Sequence, residues 1–260
     1  MLAISAHTRA KAVANAAATI NVPLPPAFLK KVDQAEAFTD AAKQTVCTDS
    51  KLHAAVLVAI EEGRDYHADE RIQRLALDCQ LTSQNILAAA RIRSEELVTA
   101  ALKDHADDIL GSWADALDEH SARLVAAAEA GLNLNDAAGA VARGGDNMQH
   151  LHAAQIAVKA WGVAIHGFGT LAAVGGVTLS PRTAPLVLTP ARKTELVPAV
   201  DMAREARTDV DVWTLTRCGI VLRLCASLGE FRERAAHFKA DTEAEARDHA
   251  ARAKAAGFNR

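Results

Sequence analysis

The sequence predicts an all-α protein, built as an elongated helical bundle around two long antiparallel helices. Alanine supplies 58 of the 260 residues, whereas aromatic residues make up only 4%. Alanine is the strongest helix former, and its small side chain lets helices approach closely. No proline occurs between Pro26 and Pro181, and apolar residues recur there at steps of three, four and seven, which is the helical period.

Residues 1–48 are predicted to form an N-terminal helical arm, and residues 49–260 the bundle. A short alanine-rich helix must end at the Asn21–Pro26 stretch, because proline lacks the amide donor and fixes the backbone. Pro26 suits the first turn of a second helix, running to about Thr45. Asp49 or Ser50 caps the next helix, which Gly63 interrupts.

The first long helix is predicted over Thr82–Ala130. Thr82 is a favourable N-cap, and Gly131 suits the left-handed position after a helix. The alternative is two helices broken at Gly111. One side of this helix is acidic, and we interpret it as a docking stripe for a basic helix or, alternatively, as a solvated face. The stripe residues are Asp104, Asp108, Asp115 and Asp118.

Residues 147–174 are predicted to form an apolar central helix, followed by an irregular segment over residues 175–189. Between Ala160 and Val177 the sole ionisable residue is His166. A helix that is apolar on all sides lies either at the centre of a bundle or in a membrane, so a membrane-inserting segment, Ala160–Leu188, is the first alternative and a flexible hinge is the second. Residues 177–179 and 186–188 are expected to pair as a short β-hairpin around residues 180–183.

The second long helix is predicted to start at Thr208 or Asp209 and to carry a coiled-coil seam. Large apolar residues follow there at alternating steps of three and four. We expect this helix to pack antiparallel to Thr82–Ala130, with basic residues facing the acidic stripe. The seam comprises Val221, Leu224, Leu228, Phe231, Ala235 and Phe238, and the basic residues are Arg232, Arg234 and Lys239. Of the seam, Leu224, Leu228, Phe231 and Phe238 are the predicted interaction residues.

Composition argues against several functions. The net charge is −3 and there is no strong basic patch, so no nucleic-acid partner is expected. The four cysteines form no C-x-x-C pair and fit neither a zinc site nor a disulfide framework, so buried thiols are expected. The N-terminus lacks the continuous apolar core of a signal peptide, which predicts cytoplasmic synthesis without Sec export.

No catalytic residue, cofactor site or metal site is predicted. Two histidines in His150-x-His152 cannot share one helix face, and the chain contains no E-x-x-H, G-x-S-x-G or phosphate-binding glycine motif. His166 is expected to be a satisfied core histidine.

These observations favour a non-enzymatic structural or interaction protein that acts by self-assembly or helix docking. Its expected partner is itself or another helical protein, and a subunit of a larger particle, such as a phage-type assembly, fits this class. A membrane-active helical protein is the first alternative. A metal protein or enzyme that uses some of the ten histidines is the second.

Overall fold

The computed structural model describes residues 4–255, and within that range the regular structure is entirely helical. The all-α class predicted from alanine content and periodicity is therefore confirmed. In chain order the helices are α1 (Ala6–Thr19), α2 (Pro26–Gln44), α3 (Asp49–Glu61), α4 (Glu70–Ser83), α5 (Ile86–Asp104), α6 (Ala106–Glu129), α7 (Ala137–Arg143), α8 (Asn147–Val174), α9 (Lys193–Ala206), α10 (Val212–Arg217) and α11 (Leu228–Ala255).

The chain divides into two compact units. The first contains the chain up to Ala10 together with Pro26–Leu102, and the second contains Lys11–Pro25 and the chain from Lys103 onward. The predicted boundary at residue 48 therefore falls inside the first unit. In that unit the carbonyl of Ala35 on α2 accepts a 2.7 Å hydrogen bond from the buried Ser94 hydroxyl on α5.

The prediction of one unbroken helix over residues 82–130 is wrong. Asn85 adopts a left-handed conformation, with φ at 61°, and ends α4, which asparagine tolerates better than most residues. Thr82 does not cap a helix, because its hydroxyl lies within α4 and bonds to the segment before α3. A second interruption falls at His105, between α5 and α6, and not at Gly111.

In the second unit, the helix that packs along α6 is α8. The two helices contribute fully buried side chains to the core of this unit, among them Trp161 and Phe168 on α8 and Trp113 and Leu117 on α6. The predicted antiparallel pairing of residues 82–130 with the last helix is not confirmed. Instead, α6 and α11 meet at their N-terminal ends, where the Leu228 amide donates to the Asp107 carboxylate at 2.9 Å.

The predicted β-hairpin over residues 177–188 is wrong within the described chain. Ser180 and Thr183 close a turn through their hydroxyls, and a 3-10 helix, Ala184–Val187, follows. The backbone of residues 186–188 bonds instead to a later segment of the chain. The Arg223 and Cys225 amides donate to the carbonyls of Leu188 and Val187 at 2.7 and 3.0 Å.

The prediction of a last helix starting near residue 208 is also wrong. α10 ends at Arg217, and Gly219 follows with φ at 72°. Residues 220–225 are not helical, so Val221 and Leu224 do not belong to a helical seam. α11 starts only after Ser227, whose hydroxyl accepts from the Glu230 amide at 2.9 Å while the Glu230 carboxylate accepts from the Ala226 amide at 2.7 Å. This reciprocal arrangement resembles a capping box.

Candidate interaction surface

The four carboxylates predicted as a docking stripe are all exposed, at the end of α5 and along α6. Asp108 Oδ2 lies 3.4 Å from His105 Nδ1. The basic residues expected to face the stripe contact other groups. Arg232 and Arg234 donate to the carbonyls of Gly175 and Leu186, and Lys239 Nζ lies 3.8 Å from the Glu243 carboxylate.

Of the four apolar residues predicted for interaction, three are buried inside the second unit. Leu224, Leu228 and Phe231 are each less than a tenth exposed. The Phe231 ring packs edge-on against Phe168 of α8, with centroids 5.6 Å apart. Phe238 is partly exposed on α11. These positions place the first three in the core of their own unit, where they stabilise the start of α11.

A different apolar surface lies on the hairpin formed by α3 and α4 in the first unit. Gly63 ends α3 with φ at 69°, a conformation that glycine adopts without strain. Asp69 caps α4 by accepting from the amides of Arg71 and Ile72 at 2.9 and 3.3 Å. Arg64 pairs with both Glu62 and Asp69 across the connection. The two helices are thus held antiparallel by a short, charged turn.

The pKa values of this turn follow from these hydrogen bonds. The pKa of Asp69 is lowered, chiefly because the Ile72 amide donates to its carboxylate, with further bonds from Arg71 and Arg64. The Glu62 and Asp69 carboxylates raise the pKa of Arg64. The carboxylate and the guanidinium therefore both stay charged through the neutral pH range, which keeps the connection intact.

One face of the hairpin exposes large apolar side chains, which we call the apolar face. Leu57, Ile60 and Leu77 are 59%, 56% and 54% exposed. Ile60 follows Leu57 by three residues, so both point to the same side of α3. Beside them runs an open groove of about 570 Å³. The groove is lined by Leu52, His53, Val56, Leu57, Tyr66, His67, Ile72, Gln73 and Ala76.

The other side of the hairpin carries charges of both signs around a groove of about 760 Å³. Its basic residues include Lys51, Arg71 and Arg74, and its acidic residues include Glu70 and Asp78. Because cations and anions alternate on this side, it presents no strong field of one sign.

A serine, a histidine and a glutamate also meet in the first unit, in an arrangement that resembles a hydrolytic triad. His7 Nδ1 lies 2.9 Å from Glu95 Oε1, and His7 Nε2 lies 3.3 Å from Ser94 Oγ. However, the Ser94 hydroxyl is buried and donates to the Ala35 carbonyl, so its proton is not directed to the imidazole. Glu95 also accepts from the Ala6 amide. The arrangement fixes the start of α1 against α5 and does not activate a nucleophile.

Sequence reasoning missed both the apolar face and the His7 cluster. His7 and Glu95 are 88 residues apart, and no local pattern connects them. The sequence contains Leu57 and Ile60 at helical spacing, but spacing alone does not distinguish exposed apolar residues from those that pack inward. The S-x-x-E pattern at Ser227–Glu230 was a signal, because it marks the true start of α11.

Two structural features bear on the alternative functions, a metal protein and a membrane-active protein. Within residues 4–255, no group of three or more histidine, cysteine, aspartate or glutamate side chains is placed to hold a metal ion. α8 is long and apolar enough to cross a membrane by length and composition, with 44% of its most apolar stretch buried inside the structure. Core helices of soluble proteins share these properties.

Comparison of the chain with protein-family models, with curated proteins and with solved structures found no match.

Proposed function

We propose that this chain is a non-enzymatic interaction protein that self-associates through the apolar face of the α3–α4 hairpin. The observation that carries the proposal is the exposure of Leu57, Ile60 and Leu77 on one hairpin, with Leu57 also lining an apolar groove. In a hairpin of two helices, each helix buries one apolar stripe against the other, so any further apolar stripe stays exposed. Pairing two such hairpins gives a four-helix bundle, in which the remaining stripes become a shared core.

The preferred occupant of the groove is a second copy of the chain. Isologous contacts require a surface that is complementary to itself. The apolar face meets this requirement, since aliphatic side chains such as Leu57 and Ile60 of one copy can pack against the same side chains of the other. A strongly basic or acidic partner would instead call for a surface of one sign.

The exposed apolar surface is small, because each copy offers three half-exposed aliphatic side chains. Small contacts of this kind are typical of weak, transient association. We therefore propose a reversible dimer, which suits a subunit that joins a larger particle such as a phage-type assembly.

The test is light scattering coupled to size-exclusion chromatography over a concentration series of the full chain. The wild type is expected to shift from monomer towards dimer as concentration rises, and Leu57→Lys is expected to remain monomeric. Ile92→Lys is the matched control, because Ile92 is 64% exposed in the same unit but lies on α5. A wild type that stays monomeric at every soluble concentration, or a dimer that survives Leu57→Lys, would overturn the proposal.

The acidic stripe is proposed as a second docking surface, for a basic helix of a neighbouring chain. Its support is that Asp104, at the end of α5, and Asp108, Asp115 and Asp118, along α6, are all exposed. Changing Asp104 and Asp108 to Lys is expected to reduce the size of the assembled species or to weaken folding. The control changes the exposed residues Asp209 and Asp248 to Lys. Unchanged melting and unchanged size in the stripe variant would exclude this surface.

Membrane insertion by Ala160–Leu188 remains the alternative function, and the length and apolar character of α8 support it. It predicts that the purified chain floats with vesicles of mixed neutral and anionic phospholipid, and that Gly169→Asp abolishes flotation. If the wild-type protein does not float with the vesicles, membrane insertion is excluded, and the dimer proposal is unaffected.

A further inference from the structure

Two cysteines that lie far apart in the sequence have their sulfurs in contact in the first unit. Cys47 follows α2, Cys79 lies on α4, and their Sγ atoms are 3.0 Å apart. Both residues are buried, at 7% and 8% exposure. The remaining cysteines, Cys218 and Cys225, belong to the second unit.

The backbone around the pair is held by hydrogen bonds that do not involve sulfur. The Cys47 amide donates to the Thr82 hydroxyl at 3.0 Å, and this hydroxyl donates to the Thr45 carbonyl at 3.2 Å. Thr82 follows Cys79 by three residues, so the two share one face of α4. The Thr45–Cys47 segment is thereby fixed against the turn of α4 that carries the second sulfur, which makes the proximity of the sulfurs a property of the fold.

We propose that Cys47 and Cys79 form a redox-responsive pair that closes to an intramolecular disulfide when a small hydroperoxide oxidises the protein. Neither the apolar face nor the dimer is needed for this reaction, so the inference stands apart from the proposed function. The bond would close a loop that contains the whole α3 helix and most of α4.

The order of reaction follows from the hydrogen bond between the thiols. Cys79 donates to Cys47, and this bond, together with burial, raises the pKa of Cys79 to about 11. We assign Cys79 as the sulfur that keeps its proton and Cys47 as the sulfur that reacts first, and exchanging the two roles gives the same disulfide. Because both thiols are nearly buried, a molecule as small as hydrogen peroxide can reach them more readily than a bulky disulfide.

The chemistry balances in two steps. The Cys47 thiolate attacks one peroxide oxygen, so an S–O bond forms, the O–O bond breaks, and the departing hydroxide takes a proton to become water. The Cys79 sulfur then attacks Cys47 Sγ. An S–S bond forms, the S–O bond breaks, and the hydroxide leaves with the Cys79 proton as a second water. In sum, two thiols and one hydrogen peroxide give one disulfide and two waters.

The experiment treats the native full-length protein with hydrogen peroxide, quenches it in acid, alkylates the remaining thiols and maps the peptides by mass spectrometry. The expected product is a Cys47–Cys79 cross-linked peptide, lighter than the two separate peptides by two hydrogen atoms and lost on treatment with dithiothreitol. Oxidation should also raise the thermal midpoint of the wild type by about 5 °C or more, because the closed loop restricts the unfolded chain.

Matched variants separate this pair from general thiol oxidation. A double variant, Cys218→Ser with Cys225→Ser, should form the same disulfide to the same extent. Cys47→Ser should give no cross-link and no shift of the thermal midpoint on oxidation. If circular dichroism shows that Cys47→Ser is unfolded, Cys79→Ala provides a second variant. Recovery of both wild-type thiols in reduced form, their conversion to sulfinic acid without a cross-link, or a disulfide between other cysteines would each overturn the proposal.

Discussion

The indole ring of Trp113 on α6 lies directly over Gly167 of α8. A Cβ added at Gly167 would stand 2.5 Å from Trp113 Cη2 and 3.2 Å from the Ala16 Cβ. Both Trp113 and Gly167 are buried, so neither the ring nor the helix can move away into solvent. The absence of one side chain on α8 therefore sets how closely the two principal helices of the second unit approach.

Gly167→Ala is expected to destabilise the protein by about 1–3 kcal/mol, because the added methyl overpacks a rigid buried contact. Urea unfolding followed by circular dichroism measures the change. Gly162→Ala is the control on the same helix, since its Cβ would meet nothing within 4 Å. That variant should be more stable by about 0.5–1 kcal/mol, through the better helix propensity of alanine. Equal effects of the two substitutions would contradict the proposed contact.

The Asp107 carboxylate is expected to stabilise the start of α11. It accepts from the Leu228 amide, which is one of the amides that a helix leaves without an internal partner. Asp107→Ala should cost about 1 kcal/mol, the typical value of a lost capping interaction. Asp118→Ala, on the exposed side of α6, should change stability by less than about 0.5 kcal/mol. A loss of stability in Asp107→Ala that is no larger than the loss in Asp118→Ala would show that the bond to the Leu228 amide does not stabilise the protein.

The stability of the first unit should fall in acid because of Glu95. Burial raises the pKa of Glu95, but hydrogen bonds from His7 and the Ala6 amide outweigh it, so the pKa lies below its ordinary value. A carboxyl whose pKa is lowered on folding stabilises the protein above its unfolded pKa of about 4.3, and this stabilisation is lost as the pH falls towards the folded pKa.

Glu95→Gln should therefore be less stable than wild type at pH 7 and should lose less stability on acidification. Chemical unfolding of both proteins at pH 7 and at about pH 3 gives the comparison. Glu96→Gln, which changes an exposed neighbouring carboxylate, controls for net charge. Parallel pH profiles of Glu95→Gln and wild type would show that the contact with His7 and Ala6 does not couple to folding.

Cys225 should resist alkylation in the native protein. Burial raises the pKa of Cys225 to about 12, so at pH 8 its thiolate fraction falls roughly a thousandfold below that of an ordinary cysteine. Iodoacetamide labelling followed by peptide mass spectrometry should modify the partly exposed Cys218 first and reach Cys225 only after unfolding. Labelling of Cys225 at the rate of Cys218 in native protein would contradict its placement in the core.

Sequence reasoning anticipated the class of fold because that class depends on local preferences. Alanine content, helical spacing and the prolines at Pro23–Pro26 act within a few residues, and the structure follows them in α1, α2 and α8. The same reasoning recognised Gly63 as an interruption, since a left-handed conformation between two helices is a local requirement that glycine satisfies.

Two of the wrong predictions, the β-hairpin and the start of the last helix, share a physical cause, because distant segments bond to the same backbone groups. Residues 186–188 look like one half of a hairpin, but their carbonyls bond to amides of residues 223–225, which removes that later stretch from the last helix. Val221 and Leu224 match a coiled-coil seam by spacing alone. Spacing cannot show that the chain between Gly219 and Ser227 is extended to reach a partner some 35 residues earlier.

The sequence by itself determined that this chain is helical, where its strongest breaks fall, and that its cysteines match no metal-binding pattern. Only the tertiary structure decided that α6 packs with α8, that Leu224, Leu228 and Phe231 are core residues, and that Leu57, Ile60 and Leu77 are left exposed. It alone brought Cys47 to Cys79 and His7 to Glu95. Helix propensity is a property of neighbouring residues, whereas the choice of which apolar stripe is covered depends on packing among segments far apart in the chain.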